Sequence, residues 1–333
     1  MKNKVIKLFL INFLCFLILS LLFFREYLYI YRIMVLDVVP YEHYQNQLLF
    51  YATGLDEFKI VSPPALRIIP TLYFYFIYDF FPCLKLSRLP ETLSVEYQCT
   101  TNAIAIGNYF LLIITLILVF YYFQTILKKS FLKSFLLAFL FFGLIRFADY
   151  FGVDRFVIFY IFLILIFYDN IKCSSLMVVF SFLVSEKIIL LFFIYSLLKA
   201  YEERKKKHLF IFLSSIISSV LYLFLLFFGK KYFLFFEFEP SISQFLQLFY
   251  DKTAIANGLV PLIIFFVPYF FFIRKNKKTF LYILLPLIMS LFSIYGGVYG
   301  LGRYLSTTIP FYLIIISKIN FKYLENRLIS KFI

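Results

Sequence analysis

The chain has no tryptophan, two histidines and four cysteines, and only 15% of its 333 residues are charged. A soluble domain carries about a quarter charged residues and is about half apolar; here 63% are hydrophobic and the mean hydropathy is +0.91. One soluble core stops growing at about 250–300 residues, so this much apolar surface would lie exposed to water. Water-soluble enzyme folds are thereby excluded. Two histidines leave little room for imidazole-based acid–base chemistry, and four cysteines are too few for a disulfide scaffold. There is no P-loop, no CxxC, no HExxH and no Ser-His-Asp order that fits. Linkers rich in Gly, Ser or Pro, heptads and internal repeats are also missing, so 1–333 reads as one integral-membrane domain. Phe 50 and Tyr 28 are read as an AT-rich coding bias, and no aromatic is weighted singly.

Long apolar runs are what the chain has instead. A crossing helix needs about 20 apolar residues. Residues 5–24 follow Lys2, Lys4 and Lys7 with no small-residue cleavage site, which predicts an uncleaved first helix. Further runs cover 103–126, 133–148, 156–169, 173–185, 187–200, 209–228, 258–273, 279–295 and 304–317. The expectation is an all-α polytopic membrane protein of about ten transmembrane helices, within a range of 9–12. Two outer loops, 25–102 and 229–257, and a basic cytoplasmic loop, 201–208, connect them. The 66–82 segment is expected to lie in or dip into the outer leaflet, because a single crossing there would flip every later basic cluster outward. The 173–198 stretch reads either as two short helices or as one long helix with Glu186 and Lys187 at its middle.

Counting charges over the ten spans fixes the orientation. Twenty of the 33 basic residues fall on the side of the two termini, against four acids, Asp169, Glu202, Glu203 and Glu325. The other side is close to neutral. The +15 net charge is thus a topology signal and not a nucleic-acid footprint, with both termini in the cytoplasm. Cys83 and Cys99 share the first outer loop, where an oxidising compartment permits a disulfide. With no spacing rule to support that bridge, two free thiols are expected.

In so apolar a chain, ionisable residues other than cytoplasmic lysines carry the information. The first outer loop holds Asp37, Glu42, His43 and Arg67, in LDVVPYEHY and SPPALRIIP. Helix ends add Asp149, Asp154 and Arg155 in RFADYFGVDR, Glu186 and Lys187 in SEKI, and Arg303 in YGLGRYL, after Gly296, Gly297, Gly300 and Gly302. Five distant segments thus place carboxylates and cations at one outer depth, as a site there would need. Each has a plainer reading. Asp37 is a solvated loop acid or the cap of a helix from about Tyr41 to Ala52, and His43 a surface or packing residue. Asp154 and Arg155 end a hairpin, and Glu186 and Lys187 mark a helix break or an intramembrane pair. His208 lies on the opposite side.

The layout resembles the GT-C superfamily of integral-membrane glycosyltransferases, which use polyprenyl-phosphate sugars. The resemblance rests on LDVVPYEHYQNQLLFYATG, SPPALRIIPTLYFYF, VDRFVIFYIFLILIF, FLVSEKIILLFFIY and GRYLSTTIPFYLI, in that order over nearly the whole chain. Ser185 stands where a Lys precedes the Glu in the family's pattern, and Asp37 is a lone acid where many relatives have two. The resemblance implies sugar transfer from a polyprenyl-phosphate donor to an envelope glycan, lipid or protein acceptor, at the outer face of a bacterial cytoplasmic (inner) membrane. It implies Asp37 as the base. Arg67, Lys187 and Arg303 would bind the lipid phosphate, supported by Glu42, His43, Asp154 and Glu186. No cofactor is implied, and a divalent metal is left open. Two alternatives stay open beside the transferase. One is a polysaccharide polymerase of similar acid-plus-Tyr loops. The other is a non-enzymatic transporter or structural subunit, although the internal symmetry of many transporters is not visible.

Overall fold

The computed structural model of the chain describes residues 61–62, 67–80, 95–148, 154–229, 234–235, 255–270, 277–296 and 301–319. Expectations for Asp37, Glu42, His43, Asp149, the 5–24 helix and the 41–52 helix lie outside these residues. The protein is all-α. Among the described residues the one departure is a parallel pair of two-residue strands, β1 (Val61–Ser62) and β2 (Leu234–Phe235), with Val61 opposite Leu234.

The helices in chain order are α1 (Ile68–Phe80), α2 (Val95–Tyr121), α3 (Phe131–Leu144) and α4 (Asp154–Ile166). Next come α5 (Ile171–Phe180), α6 (Glu186–Glu203), α7 (Lys206–Gly229) and α8 (Val260–Phe270). The last are α9 (Lys277–Phe280), α10 (Leu284–Gly296), α11 (Leu301–Ser306) and α12 (Ile309–Ser317). A π-helical turn, Tyr122–Ile126, extends α2, and a second, Ile255–Leu259, opens α8. The helices thus fall on every apolar run expected from 103 onward. Two helical stretches, Ile106–Ile126 and Lys206–Phe228, are long and apolar enough to cross a membrane by length and composition. Shorter apolar helices cover Ile68–Phe80, Phe131–Leu144, Ile171–Leu183 and Val260–Phe270.

Short polar residues set the helix ends. Ser130 caps α3 by accepting from the Lys133 N–H, and Asn170 caps α5 by accepting from the Cys173 N–H at 3.3 Å. Pro310 opens α12, where its missing N–H costs nothing. Arg204 stops α6 in the left-handed conformation at φ 54°, its N–H donating to the Ala200 carbonyl. Within the helices, Thr115, Ser134, Ser196, Ser214, Ser215 and Ser219 each donate to the carbonyl four residues earlier, which satisfies a hydroxyl in apolar surroundings.

The chain divides into two compact units, one of Met1–Ile60 and Thr71–Phe110, the other of Val61–Pro70 and Leu111–Ile333. In the first, the Tyr73 hydroxyl donates to the Gly107 carbonyl at 2.8 Å, and Phe74 packs on the same glycine. In the second, α6 packs on α7, α5 on α7, α10 on α11 and α12 on α3 and α4. Its core is aliphatic with aromatic clusters set in it: Phe192, Tyr195 and Phe311 form one, and Tyr122, Phe141 and Phe162 another. Much apolar surface remains outside. Leu213, Ile217, Val220, Phe224 and Phe227 of α7 are all more than half exposed.

One of two alternatives falls and one expectation is corrected. A single helix over 173–198 does not form, because the chain breaks at Val184–Ser185 and Ser185 is extended (φ −172°, ψ 140°). The expected free thiol at Cys99 is overturned: Cys99 is disulfide-bonded, and Cys173 is free.

Candidate functional site

The break before α6 starts the site. Extended Ser185 caps α6, its Oγ accepting from the Lys187 N–H at 3.3 Å and donating to Glu186 Oε2 at 3.3 Å. Glu186 and Lys187 therefore leave the first turn of α6 on different sides, and they pair with other partners, not with each other. Arg67 Nη2 lies 2.7 Å from Glu186 Oε1. Lys187 Nζ lies 2.6 Å from Asp154 Oδ1, at the first residue of α4. Arg303 of α11 holds the second Asp154 oxygen through its Nε.

Among the described residues, sequence-distant Arg67, Asp154, Glu186, Lys187 and Arg303 thus form one network with three cations and two carboxylates. Asp154 and Lys187 are buried at its centre, while the side chains of Glu186 and Arg303 are 22% and 34% exposed. A carboxylate with both oxygens on cations is not available as a base. Asp154 holds Lys187 and Arg303 in place, and Arg303 has the most exposed side chain of the five.

Two aromatic neighbours carried no sequence signal. Tyr304 places its ring 4.5 Å from Lys187 Nζ, a cation–π contact. Tyr222 of α7 lies within electrostatic reach of Glu186 and Arg67. Arg155, next to Asp154, is 1% exposed. Among the described residues, no group of three or more His, Cys, Asp or Glu is placed to hold a metal ion.

The far ends of the same helices meet in a second network, not foreseen in the sequence. Lys199 of α6 pairs with Glu202 (3.5 Å) and Glu203 (2.8 Å). The Tyr282 hydroxyl donates to Glu202 at 2.6 Å, and Lys318, after α12, approaches Glu202 at 3.4 Å. Buried His208 at the start of α7 sits between the Tyr168 hydroxyl, 3.0 Å from its Nδ1, and Glu203, 3.2 Å from its Nε2. Lys207 pairs with Asp169, and Lys133 Nζ donates to the Ile319 carbonyl at 3.0 Å. The starts of α3 and α7 and the ends of α4, α6 and α12 are tied together here. Burial pushes the Glu203 carboxyl up, but hydrogen bonds from Lys199 and Lys205 outweigh it and bring it down to about 2. Burial pushes the His208 imidazole below its usual range, partly opposed by its bond to Glu203.

No protein-family model, curated protein or solved structure matches the chain.

Proposed function

We propose that the protein is a polytopic membrane glycosyltransferase. It would move a sugar from a polyprenyl-phosphate donor to an envelope glycan, lipid or protein acceptor at the outer face of a bacterial cytoplasmic membrane. The observation that carries this reading is the meeting of three cationic side chains, Arg67, Lys187 and Arg303, with Asp154 and Glu186 at one end of the helices. Such a cluster suits a lipid phosphate, whose departure from the sugar is eased when cations neutralise the developing charge.

The membrane setting has support of its own. Charged residues gather at both ends of α4 (Asp154, Asp169), α6 (Glu186, Glu203) and the α11–α12 segment (Arg303, Lys318), with mostly apolar residues in the middle. The separation of roughly 15–17 residues is about 23–26 Å at 1.5 Å per residue, a few ångströms under the roughly 30 Å hydrocarbon core of a bilayer. The large exposed apolar residues of α7 suit lipid better than water. The Cys99 disulfide suits the oxidising side, where the charge count puts that segment.

In the reaction proposed, Asp37 takes the proton of the acceptor hydroxyl. The acceptor oxygen bonds to the anomeric carbon, the bond from that carbon to the phosphate oxygen breaks, and its electron pair leaves with the phosphate. Arg303 and Arg67 face the phosphate, and Asp154, Glu186 and Lys187 position them. A second reading has one observation in its favour: each member of the network already has an ion partner, as in a helix lock of a transporter or structural subunit. The test is transfer of radiolabelled sugar from a panel of polyprenyl-phosphate donors by the full-length protein in nanodiscs. Loss of transfer in Asp37→Asn and a marked decrease in Arg303→Ala are expected. Full transfer by Asp37→Asn would remove the mechanism, and no transfer from any donor would favour the lock.

A further inference from the structure

The second network leaves a set of cations over. Its acids are engaged: Glu202 with Lys199 and Lys318, Glu203 with Lys199, Lys205 and His208, and Asp169 with Lys207. Arg204 and Lys206, in the turn from α6 to α7, and Lys277 and Lys278, which open α9, are all exposed. None of the four has a carboxylate within ion-pair distance among the described residues. Lys278 Nζ lies 5.9 Å from the ring of Tyr201, which is 60% exposed, so the two basic segments are neighbours.

The backbone helps to present them. Arg204 is one of two non-glycine residues at positive φ among the described residues, and this conformation ends α6 and turns the chain into α7 within two residues. Directly along α7 from this turn, Leu209, Phe210 and Leu213 are each more than half exposed. A rim of unmatched cations above an exposed apolar helix face has the form of one molecule: an anionic headgroup with acyl chains attached.

We propose that the α6–α7 turn and the start of α9 form a docking surface for anionic phospholipid. Arg204, Lys206, Lys277 and Lys278 bind the headgroup, and the exposed face of α7 receives the chains. The site rests on the membrane-embedded reading above, though not on the transferase chemistry, because it lies at the opposite helix ends from Arg303. Charge complementarity selects the ligand. A zwitterionic headgroup brings no net charge to four cations, whereas an anionic one is drawn to each.

The full-length protein is reconstituted in nanodiscs of phosphatidylcholine, alone or mixed with phosphatidylglycerol. The lipids kept through gentle detergent extraction are then counted by native mass spectrometry. Wild type is expected to retain phosphatidylglycerol over phosphatidylcholine. Replacing Arg204, Lys206, Lys277 and Lys278 by Gln is expected to weaken retention by about fivefold per cation removed, with an unchanged circular-dichroism spectrum. Lys128→Gln/Lys129→Gln, a neutralised pair elsewhere among the basic residues, serves as the control and should retain phosphatidylglycerol as wild type does. Equal retention by wild type and the fourfold variant overturns the proposal, as does an equal loss in the control pair, which would show diffuse charge at work. A chain that stays in the aqueous fraction and enters no nanodisc overturns the membrane reading together with it.

Discussion

Lys187 and Asp154 meet 2.6 Å apart with side chains 2% and 0% exposed, so each is the other's compensation for leaving water. Breaking one half of such a pair strands a buried charge, at a cost of about 3–5 kcal/mol, whereas replacing both halves by apolar residues is often nearly neutral. Asp154→Ala is therefore expected to lower the unfolding temperature sharply, and Asp154→Leu/Lys187→Met to recover most of the loss. Thermal unfolding in detergent or nanodiscs checks this. A double variant as unstable as the single one would mean that Arg303, left without Asp154, dominates the site.

The pair of Arg67 and Glu186 is more open, and its value lies in anchoring the residue that precedes α1 to the first turn of α6. A double-mutant cycle of Arg67→Ala and Glu186→Ala should show a coupling of roughly 0.5–3 kcal/mol, the range for residues in contact. Strict additivity would deny the contact.

Gly107 leaves no room for a side chain. A Cβ there would stand 2.8 and 2.9 Å from two ring carbons of Phe74 and 3.2 Å from Tyr73. Gly107→Ala is expected to cost about 1–3 kcal/mol through overpacking. Phe74→Leu should relieve it in the double variant, as read by unfolding temperature. Gly143, with nothing within 4 Å of its Cβ position, is the control, and Gly143→Ala should be stabilising or neutral.

Acid should loosen the second network in two stages. His208 is held below its unfolded value near 6.5, so the unfolded chain takes up the proton first. Its contribution to stability is full above that value and is lost as pH falls below about 6.5. Lys199, Lys207, Glu203 and Tyr168 are the groups that face it. Glu203, lowered from 4.5 to about 2, contributes above its unfolded value and loses that contribution as pH falls between the two. Unfolding temperature measured between about pH 7 and pH 5 should fall in wild type and flatten in His208→Gln. An unchanged slope in that variant would assign the transition to another group.

The helices were legible because long, nearly uninterrupted apolar runs leave little else to form. Asp154, Glu186, Lys187 and Arg303 were legible because an ionisable residue among apolar neighbours is costly and must be compensated. Which partner compensates which was not legible. Adjacent Glu186 and Lys187 invite a reading as one pair, and only the extended backbone of Ser185 shows that they serve separate partners. The second network escaped because its members looked like ordinary basic-loop residues. Tyr168 and His208 are 40 residues apart, and Glu202 and Lys318 are 116 apart, so no local pattern joins them.

The two anchored ends of α6 also set a rule of length. Because α6 carries Glu186 and Lys187 at one end and Lys199, Glu202 and Glu203 at the other, its rotational phase is fixed twice. One residue inserted or deleted between Lys187 and Lys199 would turn one end against the other by about 100° and shift it by about 1.5 Å. The pairings at one end could then be kept only by giving up those at the other. A residue gained or lost at Val184–Ser185 lies outside the helix and does not turn it.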